Sequence, residues 1–187
     1  MRIEPVGPVP DLDQYETVIF TSGNGVRRLG NILKGRRVAT VGEATAKLAQ
    51  SLGADAACHG ETLADFLSRV EYLPGRTLYC RGVHSRGNMA EALNERGFDV
   101  EEAVVYDQVA VSLIAEAQEI LVGKSKVCVP LFSPRSARLL SEYTITADVT
   151  VVAISHQAAE AWQAGGRTLI AEKPTAEAMC RAVLDAI

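Results

Sequence analysis

Short apolar runs alternate along this sequence with longer amphipathic segments. Runs such as TVIFTS, RRVATVG and KVCVPLFS are rich in β-branched residues, which is typical of buried strands. The segments that follow them carry apolar residues at helical spacing, and Ala46, Ala49 and Leu52 are one example. Gly53 and Gly97 stand where helix-ending glycines are expected. This alternation predicts an α/β fold with parallel sheets.

The sequence also repeats itself at the level of strand, turn and helix. FTSGNGVRRL resembles LFSPRSARLL, TVGEATAKLAQSLG resembles AISHQAAEAWQAGG, and GETLADFLSRV resembles KPTAEAMCRAV. Three units therefore occur twice in the same order, which predicts two similar subdomains. Ligands of parallel sheets bind beyond the carboxyl ends of the strands, so the turns of both halves are expected to carry the chemistry.

Composition narrows the class of protein. Charged residues make up 22% of the 187 residues and the net charge is −4, which argues against a broad nucleic-acid surface. No apolar run reaches the length of a membrane span, and no signal peptide is recognisable, so we expect a cytoplasmic protein that binds no membrane. The four cysteines form no CxxC pair and are expected to be buried thiols. The three histidines lack ligand spacing, so no metal site is predicted.

The stretch VIFTSGNGVRRLG reads as a strand, a Gly-rich turn and a helix. A dinucleotide fingerprint would need glycine where Arg28 stands, and the next strand ends at Gly42 without an acidic residue. A P-loop is excluded because no GK[ST] follows. What remains is a turn that binds an anion through hydroxyls, close backbone approach and the N–H groups of a helix N-terminus.

The other turns have the same character, because each places a small or hydroxyl residue at a helix start. The candidates are Thr21, Ser22, Gly23, Thr45, Ser133, Ser155 and Thr175. Simple helix capping is the alternative for each of them. Basic residues near these turns fit a polycarboxylate or phosphate ligand; they are Arg27, Arg81 beside Gly82, Arg86, Arg135, Arg138 and Lys173. Arg27 and Arg138 are expected inside helices, where surface charge is the alternative.

Acid–base candidates are few. Tyr106, next to Asp107, lies on a long extended segment between the two halves, in the motif VVYDQ. Its phenol either packs at this junction or points into a cleft and hydrogen-bonds a leaving group. No Ser-His-Asp spacing, nucleophile elbow or catalytic carboxylate pair stands out.

These motifs together resemble the uroporphyrinogen-III synthase family. The resemblance rests on VIFTSGNGV, VGEATAKLAQSLG, GETLADFL, LYCRG, RGFDVEEAVVYDQV, LFSPRSARLL, VAIS and KPTAEAM, which stand in the family's order and cover nearly the whole chain. It implies two flavodoxin-like or Rossmann-like α/β domains joined by a two-strand linker. The corresponding segments are a linker strand at 1–8, a first domain at 9–103, a return strand at 104–112 and an incomplete second domain at 113–187.

The resemblance also implies a reaction without a cofactor: hydroxymethylbilane cyclises to uroporphyrinogen III with loss of water and inversion of the D ring. A spiro intermediate is the usual proposal, and the enzyme class is a hydro-lyase. By the same resemblance, Tyr106 assists departure of the hydroxyl. The residues that would bind the eight-carboxylate substrate, in a cleft between the domains, are Thr21, Ser22, Gly23, Thr45, Arg81, Gly82, Ser133, Ser155, Lys173 and Thr175. Hydroxymethylbilane synthase is a candidate partner.

One departure concerns the start of the chain. Members of the family open with a strand–helix unit that precedes the first linker strand, whereas this sequence opens with MRIEPV, which resembles that linker strand. The first half of the repeat has a fourth strand–helix unit, and the second half has none to match it. We therefore expect an uncovered strand edge in the second domain. Either the natural chain starts earlier or the edge pairs with a second copy to form a homodimer; a degenerate, inactive member is the third alternative.

Two rival functions differ from the enzyme in what they require. A non-catalytic two-lobed module would bind a carboxylated or phosphorylated ligand with saturable affinity and no turnover. A dinucleotide-dependent reductase has the glycines of the first turn and lacks the rest of its fingerprint.

Overall fold

Each part of the chain builds its own sheet, mostly parallel in the first part and parallel in the second. In the computed structural model, which describes residues 1–85 and 87–187, contacts divide the chain into two units. The N-terminal unit is Arg2–Val109, and the C-terminal unit is Ala110–Ile187 together with Met1. The predicted α/β class with parallel sheets is confirmed.

The N-terminal unit holds a six-stranded sheet in the order β1-β6-β5-β2-β3-β4. Its strands are β1 Arg2–Pro5, β2 Thr17–Phe20, β3 Arg37–Thr40, β4 Asp55–Cys58, β5 Thr77–Gly82 and β6 Val100–Val109. Its helices are α1 Gly23–Leu29, followed by a 3₁₀ turn at Gly30–Leu33, then α2 Glu43–Ser51, α3 Leu63–Arg69 and α4 Met89–Glu95. Among the strands formed by its described residues, β1 alone runs antiparallel to its neighbour. The strand order reverses between β2 and β5, which is the switch point of a Rossmann-like sheet.

The central strands β2, β3 and β5 are buried on both faces, which explains why they read as continuous apolar runs. Val18 and Phe20 of β2 pack into one core cluster, and Ile19 between them packs into the other. The residues of β5 alternate in the same way, with Leu78 in the first cluster and Tyr79 in the second.

The segments expected to link two domains form the edge of the first sheet. β1 pairs with β6, and Pro5 lies opposite Tyr106. The boundaries at residues 8, 103 and 112 stay predictions.

A β-bulge in β6 decides where Tyr106 points. Arg81 pairs with Val104 but Gly82 pairs with Tyr106, so Val105 is an extra residue on β6. Side chains normally alternate between the two faces of a sheet, and a bulge shifts that alternation by one. Val105 and Tyr106 consequently pack into the same core cluster.

The C-terminal unit has a three-stranded parallel sheet in the order β7-β8-β9. Its elements are α5 Ala115–Val122, β7 Lys126–Leu131, α6 Pro134–Ser141, β8 Asp148–Ala153, α7 His156–Glu160, β9 Arg167–Ile170 and α8 Ala176–Leu184. Val151 and Trp162 pack on one side of this sheet, and Val152 and Met179 pack on the other.

Strand β7 is built as an edge strand. Within the described residues it pairs only with β8. The carbonyl of Leu131 accepts a hydrogen bond from the N–H of Ile154 at 3.0 Å, so the peptide groups of Pro130 face the other way, outward. Proline has no N–H to offer there, which is typical of edge positions. Pairing with a second copy stays a prediction, and Pro130 leaves any such ladder short of a hydrogen bond.

The thiols are less buried than expected. Cys80 and Cys128 lie on strands and Cys180 on a helix, as the sequence predicted. Burial raises the pKa of the Cys80 thiol to about 12. Cys58 and Cys128 are half-buried and Cys180 is exposed on α8, so the expectation of four buried thiols is wrong.

Across the described part of the chain, no helix combines the length and apolarity needed to cross a bilayer.

We expect Gly25→Ala to lower the free energy of unfolding by about 1–3 kcal/mol, because the interior cannot accept the extra methyl group. A Cβ at Gly25 would lie 2.8 Å from the buried ring of Phe20 and 3.4 Å from the carbonyl oxygen of Cys80. Urea unfolding followed by circular dichroism measures the loss.

Gly23→Ala on the same helix is the matched control for Gly25→Ala. Its Cβ would meet the side-chain ends of Leu48 and Arg27 at 3.1 and 3.3 Å, and both ends can shift. A loss at Gly23 as large as that at Gly25 would contradict the close approach of α1 to the sheet.

Candidate functional site

Four of the predicted hydroxyl residues cap helices at the carboxyl ends of strands. Ser22 accepts a hydrogen bond from the N–H of Asn24 at 3.2 Å. In the C-terminal unit, Ser133, Ser155 and Thr175 accept from helix N–H groups at 3.0, 3.3 and 3.2 Å. The capping alternative therefore holds for all four. An accepting hydroxyl still keeps its own proton, so each cap can also donate to a carboxylate ligand.

The start of α2 shows that such a turn binds a carboxylate. Gly42 precedes the helix with φ at +83°, and the N–H of Glu43 donates to Oε1 of Glu61 at 3.2 Å. Thr45, in the first turn of α2, is buried. An internal carboxylate therefore sits where the helix N-terminus favours negative charge.

Thr21 has a buried partner that sequence analysis missed. Its Oγ1 lies 3.2 Å from the hydroxyl of Tyr79. Tyr79 is 1% exposed, and burial raises the pKa of its phenol. The signal in the sequence was a tyrosine among the apolar residues of TLYCRG, one strand away from the FTS turn.

Arg81 is engaged by a glutamate. Its Nε donates to Oε2 of Glu102 at 2.7 Å, which the sequence did not reveal. The cavity that Arg81 lines also carries Glu91 and Glu95, so its described wall holds more negative than positive charge. That balance suits a polycarboxylate poorly, and Arg81 as a substrate ligand stays a prediction. The neighbouring candidate Arg86 lies outside the described residues.

The ring of Tyr106 packs directly against Gly82. A Cβ at Gly82 would lie 2.6 Å from Cε2 and 2.7 Å from Cζ of Tyr106. Tyr106 is 6% exposed and belongs to a core cluster, so the packing alternative is realised for most of its ring. The next residue, Asp107, lies 3.4 Å from Nε2 of His84 through its Oδ1. The bulge in β6 thus places Tyr106, and not Asp107, on the side of the sheet that faces this core cluster.

The C-terminal unit contributes two basic candidates. Lys173 is exposed, and its carbonyl accepts from the N–H of Thr175 at 2.8 Å. Arg135 lies in the first turn of α6, where the hydroxyls of Ser133 and Ser136 are 2.9 Å apart. Its Nε is buried and has no hydrogen-bond partner among the described residues. Unsatisfied buried polar atoms are rare in proteins, and the other one found among the described residues, Thr77 Oγ1, lies at the start of β5, away from the basic candidates.

The remaining basic candidates are solvated helix charges. Arg27 lies on α1 and Arg138 on α6, as predicted, and both are exposed. Among residues 1–85 and 87–187, no three His, Cys, Asp or Glu side chains lie close enough together to hold a metal ion.

Within each unit the candidates lie at the carboxyl ends of the parallel strands. In the N-terminal unit Thr21, Ser22 and Gly23 follow β2, and Gly82 and Tyr106 pair across β5 and β6 near the same edge. In the C-terminal unit Ser133, Ser155 and Thr175 follow β7, β8 and β9. Hydroxyls and helix N-termini dominate both sets, which suits an anionic ligand bound through many weak contacts.

Comparisons with known proteins identify the family. The family model described as uroporphyrinogen-III synthase HemD matches residues 2–181. A crystal structure of uroporphyrinogen-III synthetase from Helicobacter pylori 26695 is 25% identical with a TM-score of 0.77, and the match covers 100% of this chain and 90% of that one. A mutant uroporphyrinogen III synthase from the extremely thermophilic bacterium Thermus thermophilus is 18% identical with a TM-score of 0.52, over 100% and 87% of the two chains, and this likeness concerns the fold. No curated protein matches the sequence.

The family match spans both units and includes every turn that carries a candidate residue. The sequence motifs, the parallel sheets and the family model agree. The chain belongs to the uroporphyrinogen-III synthase family.

Proposed function

We propose that this protein closes hydroxymethylbilane into uroporphyrinogen III, with loss of water and inversion of the D ring, as a hydro-lyase that needs no cofactor. The proposal rests on the family match across residues 2–181. The observation of the site that supports it best is the set of hydroxyl-capped helix N-termini at the carboxyl ends of the strands in both units. Such turns suit a substrate that carries many carboxylates.

Substrate binding would be distributed over many weak contacts. Each capping hydroxyl accepts from its helix and can donate to a carboxylate, while the adjacent helix N–H groups supply partial positive charge. The contact between Glu61 and the start of α2 is an internal example of this chemistry. We assign the positive charge of the C-terminal unit's site to Arg135, whose buried Nε lacks a partner within the described chain.

The chemical step would depend on position more than on a nucleophile. In our proposal the phenol of Tyr106 hydrogen-bonds the departing hydroxyl and passes it a proton, so that the C–O bond breaks and water leaves. The electron-poor carbon left behind would be attacked by the substituted α-carbon of the D ring, which gives a spiro intermediate. The bond from that α-carbon to its original methylene bridge would then break, the free α-carbon of the D ring would attack the released bridge carbon, and loss of its proton back to Tyr106 would restore the pyrrole with the D ring inverted. Fixed dipoles around the substrate would decide which ring carbon closes the macrocycle.

The first test supplies the purified protein with hydroxymethylbilane and separates uroporphyrin isomers I and III after oxidation. We expect isomer III well above the amount formed without enzyme, because spontaneous closure leaves the D ring uninverted. Isomer I alone from folded protein would overturn the proposed activity. The same assay with denatured protein is the control.

Tyr106→Phe should lower kcat about tenfold, which corresponds to the loss of roughly 1.4 kcal/mol of transition-state stabilisation. The ring stays in its core position, so the melting temperature should change little. Steady-state kinetics of isomer III formation measures the effect. An unchanged kcat would remove the phenol from the mechanism.

Gly82→Ala tests the role of Tyr106 indirectly, by displacing the ring that packs against Gly82. The new methyl group would collide with the Tyr106 ring at 2.6–2.7 Å, so the ring must move. We expect a loss of kcat together with about 1–3 kcal/mol of stability. Normal kcat in this variant would mean that the position of the ring does not matter.

Arg135→Gln should raise KM by roughly tenfold or more, because hydrogen bonds to charged groups contribute about 1.5–3 kcal/mol. Arg138→Gln, on the exposed side of the same helix, is the matched control and should leave KM within about twofold. Equal effects of the two substitutions would contradict a specific role for Arg135. A more stable Arg135 variant with normal KM would assign the residue to packing.

A further inference from the structure

The buried hydroxyl of Tyr79 depends on a single contact. Tyr79 lies in the middle of β5, packed in the cluster with Ile19, Phe66 and Leu93. A hydroxyl in apolar surroundings is costly unless it is hydrogen-bonded. Its partner within the described residues is Oγ1 of Thr21 at 3.2 Å.

Either hydroxyl can donate in this contact. Donation by Tyr79 is the direction that satisfies the buried phenol, because Thr21 Oγ1 is the acceptor within reach of its one proton in the described chain. Burial raises the pKa of the phenol, so the proton stays on Tyr79 at neutral pH. When Tyr79 donates to Thr21, the proton of Thr21 is left to point elsewhere. Thr21 is half-buried, so its remaining side faces solvent or a ligand.

Thr21 stands at the switch point of the N-terminal unit's sheet. It follows the last residue of β2, and β2 lies next to β5, where Ile19 pairs with Tyr79. The strand order reverses between these two strands, and ligands of such sheets bind there. In the internal repeat Thr21 corresponds to Phe132, which is 55% exposed and has no hydroxyl. The pair is therefore a property of the N-terminal unit alone.

We propose that Tyr79 is a positioning residue, which orients the hydroxyl of Thr21 so that it donates to a carboxylate of the substrate. This inference rests on the proposed function for the identity of the ligand. It assigns Tyr79 a role in substrate binding through Thr21 without contact between the phenol and the substrate. In this relay the phenol of Tyr79 donates a hydrogen bond to the hydroxyl of Thr21, and the hydroxyl of Thr21 donates one to the carboxylate.

Substitutions at the two positions and their combination test the relay. Tyr79→Phe removes the donor and keeps the ring, and Thr21→Val removes the hydroxyl and keeps the shape. We expect Tyr79→Phe to raise KM for hydroxymethylbilane about fivefold to tenfold with kcat within twofold, and Thr21→Val to raise KM at least as much. The double variant should resemble Thr21→Val, because an oriented hydroxyl no longer exists.

The matched control is Tyr15→Phe, which removes a phenol that donates to Glu101 at 2.6 Å on the exposed surface. It should leave KM unchanged. A Tyr79→Phe variant with unchanged KM would overturn the proposal. So would an effect of Tyr79→Phe that persists at full size in the Thr21→Val background.

Two further readouts separate this inference from the proposed activity. Thr21→Val should lower the melting temperature by stranding the buried phenol, and adding Tyr79→Phe should restore part of it. Affinity for uroporphyrin III, measured by fluorescence quenching, should fall in parallel with the KM effects. If the wild-type protein binds uroporphyrin III but forms no isomer III, the activity fails while binding still tests the relay. Binding that is insensitive to both substitutions overturns the relay.

Discussion

Parallel pairing brings the carboxyl ends of neighbouring strands to one edge of each sheet, and the candidate site depends on this constraint. A helix that returns from such an edge begins with unpaired N–H groups, which must find an acceptor. At α1, α6, α7 and α8 the acceptor is a serine or threonine that follows a strand or its turn, and at α2 it is Glu61. The same groups that satisfy the fold are therefore the ones that can meet an anion.

Two local features of the N-terminal unit, the missing side chain at Gly82 and the bulge in β6, determine where the side chains near its candidate site lie. Absence of a side chain at Gly82 leaves room for the Tyr106 ring, and the extra residue Val105 turns that ring toward the core cluster on the Phe20 side. Asp107 is turned the other way and meets His84. A one-residue change in strand register thus decides which of two adjacent side chains joins the apolar packing between α1 and the sheet.

Charge is used sparingly, and mostly internally. Arg81 is held by Glu102, and Arg28 donates to the carbonyls of Val105 and Gly7. These two arginines are engaged within the N-terminal unit, whereas Lys173 of the C-terminal unit is exposed. Under the proposed function, a polycarboxylate would be bound by hydroxyls, helix N-termini and Arg135.

The sequence by itself determined the α/β class, the duplicated strand–turn–helix units and the helix-capping residues, because apolar spacing and cap chemistry are local properties. It also placed Arg27 and Arg138 on helices and supplied the motifs by which the family is recognised. Tertiary structure alone decided the Tyr79–Thr21 contact, the glutamate partner of Arg81, the unpartnered Nε of Arg135 and the exposure of Cys180. Each of these depends on side chains far apart in the chain, or on how the elements pack around them, and no local pattern encodes either.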